Sequence, residues 1–219
     1  MTESFLAKLS PDELSGFRAA GRTRRFGQGE MVFREGDDAG GVMAIVSGRV
    51  KVSVAGVGGR EVVLQFPGPG DLVGELSPIF RRPRSASVVA MGDVEVIAIP
   101  AEGFRRFIAD RPRVAMLILD HVASLLSVAD RQRVDLATRD VTSRIAARLL
   151  ELADEADVNA NGPSTLSLAL SQDELAAWTG ASREAVAKSL HVLRELGWVQ
   201  TGRREITVLD RTALRSLVG

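Results

Sequence analysis

The feature that most constrains this chain is its hydrophobic period, which changes part-way along. Between Glu30 and Pro100 apolar residues recur at every second position in short runs. Val50, Val52 and Val54 alternate with Lys51 and Ser53, the segment from Val62 to Phe66 is β-prone, and Val94, Val96 and Ala98 alternate with Glu95 and Ile97. A period of two puts successive side chains on opposite faces of a pleated strand, so these runs predict antiparallel strands. Ser47-Gly48, the stretches Gly56 to Gly59 and Pro67 to Gly70, and Gly92-Asp93 punctuate them. Turn residues at a spacing of roughly 8–12 are those of a sandwich or barrel, and no longer repeat suggests a solenoid.

From Pro112 to about Arg139 the period lengthens. Ile118, Val122, Leu125, Ala129 and Leu136 step by fours and threes, with Gln132 the one polar occupant. One long helix with heptad spacing is expected. The seam fits both a helix lying on its own domain's core and an intermolecular coiled coil; the length favours the coil. Upstream, Ser10, Pro11 and Glu13 spell the capping box of a short helix.

Beyond Asp140 the chain reads as a separate unit of short helices. Arg144 to Ala153 is strongly helix-forming, and Asp154 to Ser164 reads as an acidic loop. Ser171 and Glu174 form a second capping box, Gly180 ends that helix, Ser182 caps the next, and Gly197 ends it in turn. Two short helices about a glycine turn make a helix-turn-helix, and Trp198 to Val208, with Thr201-Gly202-Arg203-Arg204 at its middle, reads as a β-hairpin wing. The second helix carries Val186, Leu190 and Leu193 on one face and Arg183, Glu184, Lys188 and His191 away from it, the groups that read base edges. Residues 140–219 hold nine Lys/Arg against eleven Asp/Glu, unlike a basic nucleic-acid domain. That balance keeps open an ordinary bundle corner or a protein-binding unit. Sorting within it favours DNA: between 183 and 204, Arg183, Lys188, Arg194, Arg203 and Arg204 outnumber Glu184 and Glu195.

Composition closes several routes. The chain has 219 residues, 28 Lys+Arg against 28 Asp+Glu, 45% hydrophobic and 26% charged residues, which suits a folded soluble protein of two modest domains. With no cysteine there is no disulfide, thiolate nucleophile, iron–sulfur cluster or cysteine zinc site. Met1 to Ser10 carries Glu3 and Lys8 and does not read as a signal peptide, and no apolar run approaches the ~18 residues of a membrane span, so no membrane partner and a cytoplasmic location are expected. An enzyme is not expected: Asp120 and His121 are helix neighbours pointing different ways, and no Ser/His/Asp spacing suggests a triad.

In the β-rich half, Gly68-Pro69-Gly70 with Gly74 is one residue too long for a dinucleotide fingerprint. Gly74-Glu75-Leu76-Ser77 followed by Arg84-Ser85-Ala86 is more informative. An arginine fork takes a phosphate bidentately, a serine donates to it, and a carboxylate accepts from a ribose hydroxyl, so the set suits a phosphorylated sugar. The same residues also fit an Arg84–Glu75 surface ion pair of small weight.

Those two runs resemble the phosphate-binding cassette of cyclic-nucleotide-binding domains. Asp140-Val141-Thr142-Ser143-Arg144-Ile145-Ala146 and Ser182-Arg183-Glu184-Ala185-Val186-Ala187-Lys188 resemble the hinge and recognition helix of the cyclic AMP receptor / fumarate–nitrate regulator (Crp/Fnr) family of bacterial transcription regulators. The order of parts is also similar over nearly the whole chain. The resemblance implies an α+β fold: an N-terminal antiparallel β-roll over 1–111, a dimerisation helix over 112–139, and a C-terminal winged helix-turn-helix over 140–219. It implies a homodimer that binds a cyclic nucleotide, cyclic AMP first, and a palindromic promoter with TGTGA-like half-sites, with RNA polymerase as a further partner and no other cofactor. Glu75 would bind ribose, Arg84 and Ser85 the cyclic phosphate, and Gly74 and Leu76 would give backbone contacts, with Ser77 beside them. Arg183, Glu184 and Lys188 would read bases and Ser182 would touch a phosphate. The sequence departs where the best-known members carry a threonine and a serine facing the purine, having Ala129 and Asp130. Lys188 replaces a usual arginine, and Gln172 stands where a phosphate-binding arginine is often found. Asp130 admits a guanine nucleotide, cyclic GMP or a cyclic dinucleotide, as alternative effector, and a degenerate cassette would leave a ligand-independent regulator. No metal site is expected: the β-rich span has no histidine to ligate a haem, and His121 and His191 read as surface or helix-face residues.

Overall fold

The computed structural model describes residues 3–158, 166–168, 170–202 and 204–219. They form two compact units, one up to Val128 and one over Ala129–Gly219.

The first unit opens with α1 (Pro11–Ala20), whose Ser10 and Glu13 make the expected capping box. Eight strands follow: β1 (Arg22–Phe26), β2 (Met31–Phe33), β3 (Gly41–Ser47), β4 (Val50–Ala55), β5 (Glu61–Gln65), β6 (Leu72–Val73), β7 (Ser87–Ala90) and β8 (Val94–Pro100). Two four-stranded antiparallel sheets result, ordered β1-β8-β3-β6 and β2-β7-β4-β5. Phe26, Ile45, Val50, Val52, Val73, Val88 and Val96 fill the space between them. The outer face of the first sheet, through Val42, Ala44, Ile97 and Ile99, packs on Phe17 and on Phe104 and Phe107 of α3 (Ala101–Ala109). Short α2 (Leu76–Phe80) interrupts the roll between β6 and β7.

Two strands depart from simple alternation, each for a local reason. The β4–β5 register shifts between Val52 and Ser53, a bulge that reverses which side faces inward. Ser53 is therefore buried, with its hydroxyl donating to Glu61 at 2.7 Å, and Val54 is only half-buried. In β8, Val96 faces the inter-sheet core and Ile97 the helical layer, so both faces are apolar and Ile97 is buried rather than exposed.

Helix α4 (Pro112–Thr138) matches the long helix expected, but its seam divides. Ile118 is buried in its own unit's core with Val114, and Val122 packs against them, while Met116, Leu119, Leu126, Val134 and Leu136 are exposed. By length and composition this helix is also apolar enough to cross a membrane. Asp120 and His121 interrupt its apolar run, so no unbroken stretch in the sequence displays that property.

The second unit comprises α5 (Val141–Val158), β9 (Leu166–Leu168), α6 (Gln172–Thr179), α7 (Arg183–Glu195), β10 (Val199–Gly202), β11 (Glu205–Val208) and α8 (Arg211–Val218). Helix α5 runs on through Asp154 to Val158, where an acidic loop is expected; 159–165 lie outside the described residues, as does Arg203 of the wing. The hairpin forms as expected and gains a third strand, in the order β10-β11-β9. Ile145, Leu149, Leu175, Leu190, Leu193, Ile206 and Leu214 are fully buried here.

Candidate functional site

The cassette is built where β6 turns into α2. Gly74 takes φ 76°, in the left-handed region, and a Cβ there would run into the Arg84 guanidinium and the Phe33 ring. Glycine is thus required both by conformation and by close approach. Arg84 arrives from the loop before β7, held by its backbone: its N–H donates to Asp37 O at 2.8 Å and its carbonyl accepts from Gly36 N–H at 2.9 Å. Its Nη1 donates to Gly74 O at 2.7 Å and Nη2 to Gly41 O at 2.6 Å, and its guanidinium carbon stacks 4.0 Å from the Phe33 ring centroid.

Arg84 and Glu75 are each 4% exposed, and no carboxylate closes on Arg84 as a direct ion pair among the described residues. A surface ion pair between them is therefore excluded by burial. Burial pushes the Glu75 carboxyl up to about 6, against the pull of its own backbone N–H and of the Arg84 charge. Burial lowers Arg84 in turn, opposed by Glu75 and Asp37, yet a guanidinium stays charged. Arg84 Nε is buried without a hydrogen-bond partner. Ser77 is buried and donates to Pro83 O at 3.4 Å, Leu76 is half-buried, and Ser85 is exposed. The structure thus gathers Gly74, Glu75, Leu76, Ser77, Arg84 and Ser85 into one turn-and-helix cluster.

Sequence reasoning missed three neighbours of that cluster. Phe33 and Gly41 reach Arg84 from distant strands, and nothing local signals them. His121 carries a readable signal: Val114, Ile118 and His121 lie at i, i+4 and i+7, so the imidazole shares the core-facing stripe of α4. Rather than lying on the surface, its side chain is 18% exposed, with Nε2 3.9 Å from Glu75 Oε1. Ala129 and Asp130 belong to the second unit; Ala129 is half-buried, and Asp130 is exposed and accepts from Arg133 on its own helix at 3.1 Å.

In the second unit Asp140 caps α5 by accepting from Ser143 N–H at 2.8 Å, which lowers its carboxyl pKa. Arg148, 2% exposed, pairs with Asp135 at 2.8 Å and with Glu151. Both helices of the helix-turn-helix start as read, with Ser171–Glu174 as a capping box and Ser182 accepting from Ala185 N–H at 3.2 Å; between them Gly180 sits at φ 62°. Val186, Ser189, Leu190 and Leu193 face inward, which leaves Arg183, Glu184, Lys188 and His191 exposed together on α7. The Glu184 carboxyl is held low by its own backbone N–H and by Ser182, and Arg183 Nε lies 3.4 Å from Asp173. Gln172 opens α6 as its first residue.

The comparisons agree with both modules. The cyclic nucleotide-binding domain family matches residues 23–111, and the Crp-like helix-turn-helix domain family matches residues 143–217. Over 189 residues the chain is 33% identical to the CRP-like cAMP-activated global transcriptional regulator of Mycobacterium tuberculosis, spanning 86% of this chain and 84% of that protein. Over 209 residues it is 32% identical to the cyclic AMP receptor protein of Thermus thermophilus, spanning 95% and 94%. Among solved structures, the c-di-GMP responsive global regulator CLP of Xanthomonas campestris superposes with TM-score 0.78 at 27% identity, over 92% of this chain and 100% of that one. A β-roll of the cyclic nucleotide-binding family, joined through a long helix to a Crp-like helix-turn-helix, defines a cyclic-nucleotide-binding transcription regulator. The chain belongs to the Crp/Fnr family, a family of transcription regulators and not of enzymes.

Proposed function

We propose that this chain works as a homodimer gated by a cyclic nucleotide, with cyclic AMP as the first effector, and that it recognises a palindromic promoter with TGTGA-like half-sites. The observation that carries the effector reading is Arg84, a charged fork 4% exposed whose Nε has no partner. A buried guanidinium with a spare donor costs stability unless an anion completes it. Arg84 and Ser85 take the cyclic phosphate, Glu75 accepts from the ribose, and Gly74, Leu76 and Ser77 shape the turn around it. The partition is functional: 1–111 binds effector, 112–139 pairs with a second copy, and 140–219 binds DNA, with RNA polymerase a further partner in the cytoplasm. The exposed Met116, Leu119 and Leu126 supply the pairing face. On DNA, Arg183, Glu184 and Lys188 read bases and Ser182 contacts a phosphate.

A second reading makes the effector a guanine nucleotide. It rests on Asp130, an exposed acceptor on α4 suited to the ring N–H and amino donors of guanine, and on the likeness to the c-di-GMP responsive Xanthomonas regulator. The Asp130–Arg133 pair weighs the other way, since it occupies that carboxylate at the surface. Calorimetric titration with cyclic AMP, cyclic GMP and cyclic di-GMP decides between them. The expected result is heat with cyclic AMP and a promoter footprint that depends on it. A footprint that needs no nucleotide, with no heat from any of the three, would establish a ligand-independent regulator.

A further inference from the structure

The first half of α4 is clamped beside the cassette. Lys8 Nζ lies 2.6 Å from Asp120 Oδ2, and Arg113 donates to Lys8 O at 2.8 Å and pairs with Glu13, so the helix cannot easily roll about its axis at this level. His121 follows Asp120 and is thereby aimed at Glu75. Its Nε2 is buried and has no hydrogen-bond partner, and it stands 3.9 Å from the Glu75 carboxylate, beyond the ~2.7–3.2 Å of a direct bond. Two hydrogen bonds of ~2.8 Å meeting at about a right angle on one oxygen span such a gap.

Nε2 is closed to solvent, so a group enters only as the side chains around it part, and the chemistry selects that group. The ionised Glu75 only accepts, while a neutral imidazole with its proton on Nε2 donates. A hydroxyl alone among the polar groups of a cyclic nucleotide donates to one and accepts from the other at once. A phosphate oxygen would satisfy His121 but meet the Glu75 charge, and it already has Arg84. We infer that His121 is a second reader of the effector's ribose: the 2′-hydroxyl donates to Glu75 and accepts from His121 Nε2–H. This rests on the cassette reading above and adds to it a contact from α4. That contact ties recognition of a ribonucleotide to the helix which continues into the second unit.

The test is titration of full-length wild type, His121→Leu and His121→Gln with cyclic AMP and cyclic GMP, each beside its 2′-deoxy counterpart. The expected result is that His121→Leu weakens binding of the ribonucleotide about 5- to 10-fold, the weight of one hydrogen bond, and changes the 2′-deoxy form less than about 2-fold. His121→Gln, which keeps an N–H donor on a shorter side chain, should recover part of the difference. If His121→Leu weakens both forms equally, His121 supports the cassette only by packing, and the inference is overturned. Unchanged affinity for both overturns it as well. If wild type binds none of the four nucleotides and no cyclic di-GMP either, the cassette reading itself has failed, and the ribose contact with it; binding of cyclic di-GMP alone keeps the cassette and overturns the ribose contact to a cyclic mononucleotide. Circular dichroism melts of the two variants identify any loss that reflects unfolding, and in that case the comparison is read on His121→Gln.

Discussion

Arg84, the proposed phosphate-binding group, is also an internal strut. Removing it leaves the carbonyls of Gly74 and Gly41 without their donor and strips one face of Phe33. Arg84→Ala should therefore abolish nucleotide binding and also lower stability by ~1–3 kcal/mol, seen as a lower denaturant midpoint. Unchanged affinity in a folded Arg84→Ala protein would remove the cassette from the nucleotide site. Glu75 makes a prediction about pH. Its folded-state pKa is about 6 against an ordinary 4.5, so the folded protein holds this proton more tightly than the unfolded chain. The corresponding stability is fully present below pH 4.5 and is lost as pH rises through 6. Glu75→Gln mimics the protonated form, so without nucleotide it should be more stable than wild type above pH 6, by ~2 kcal/mol, and equal to it below pH 4.5. His121 works in the opposite sense, because burial lowers its pKa and its contribution is lost as pH falls. Its Nε2 stands 3.9 Å from the Glu75 carboxylate, so the two titrations are coupled, and making the comparison in a His121→Leu background isolates Glu75. Parallel melting curves at every pH would show that Glu75 is not held in the buried state described here.

At the scale of elements, α4 makes a prediction through its divided seam. Leu126 is 60% exposed and Ile118 is 5% exposed, so two like substitutions on one helix should act through different physics. Leu126→Asp should leave the monomer folded and weaken self-association in sedimentation, with like charges facing each other across the pairing face. Ile118→Asp should unfold the first unit, because a carboxylate cannot be solvated between Val114 and the β-roll core. A Leu126→Asp protein that stays dimeric would move the interface off α4. The same helix shows what the sequence could and could not reveal. Its existence and length follow from periodicity, and both capping boxes, the glycine at 180 and the wing hairpin follow from local chemistry that needs no partner. Which side of α4 turns inward depends on where the sheet presents Ile97 and Ile99, and residues 20 positions away do not encode that legibly. The bulge at Val52/Ser53 is of the same kind, since register belongs to a pair of strands and one strand's alternation cannot report it. Helix α5 passes through Asp154, where acidic residues suggest a loop; Arg215, from α8, donates to that carboxylate at 2.8 Å. In the cassette, Gly74 to Ser77 and Arg84 to Ala86 were readable as a motif. Their burial, and the approach of Phe33, Gly41 and His121, are products of the fold.

For the whole molecule the charge distribution decides how DNA binding should behave. The chain is neutral overall and its last 80 residues are slightly acidic, so nonspecific attraction to the phosphate backbone is weak and discrimination rests on a few side chains. In a homodimer the two α7 helices would meet successive major grooves ~34 Å apart. Arg183 and Glu184 are exposed at the start of α7, where a recognition helix meets base edges, with Lys188 one turn further along the same face. Arg183 lies near Asp173 in the free protein, but both are well exposed, and such a pair offers little resistance to a guanine edge. Arg183→Ala should cost ~1–3 kcal/mol on a TGTGA-type site and little on random DNA, because a bidentate guanine contact is lost while the phosphate contacts stay. Lys188 is a single ammonium where a planar fork could pair twice, so Lys188→Arg should sharpen the preference at its base pair while leaving the salt dependence nearly unchanged, both charges being +1. Fluorescence anisotropy with specific and scrambled duplexes across a salt series measures both effects. Equal losses for Arg183→Ala on the two duplexes, with a shallower salt slope, would mean that Arg183 touches only phosphate and that base reading falls to other residues of α7.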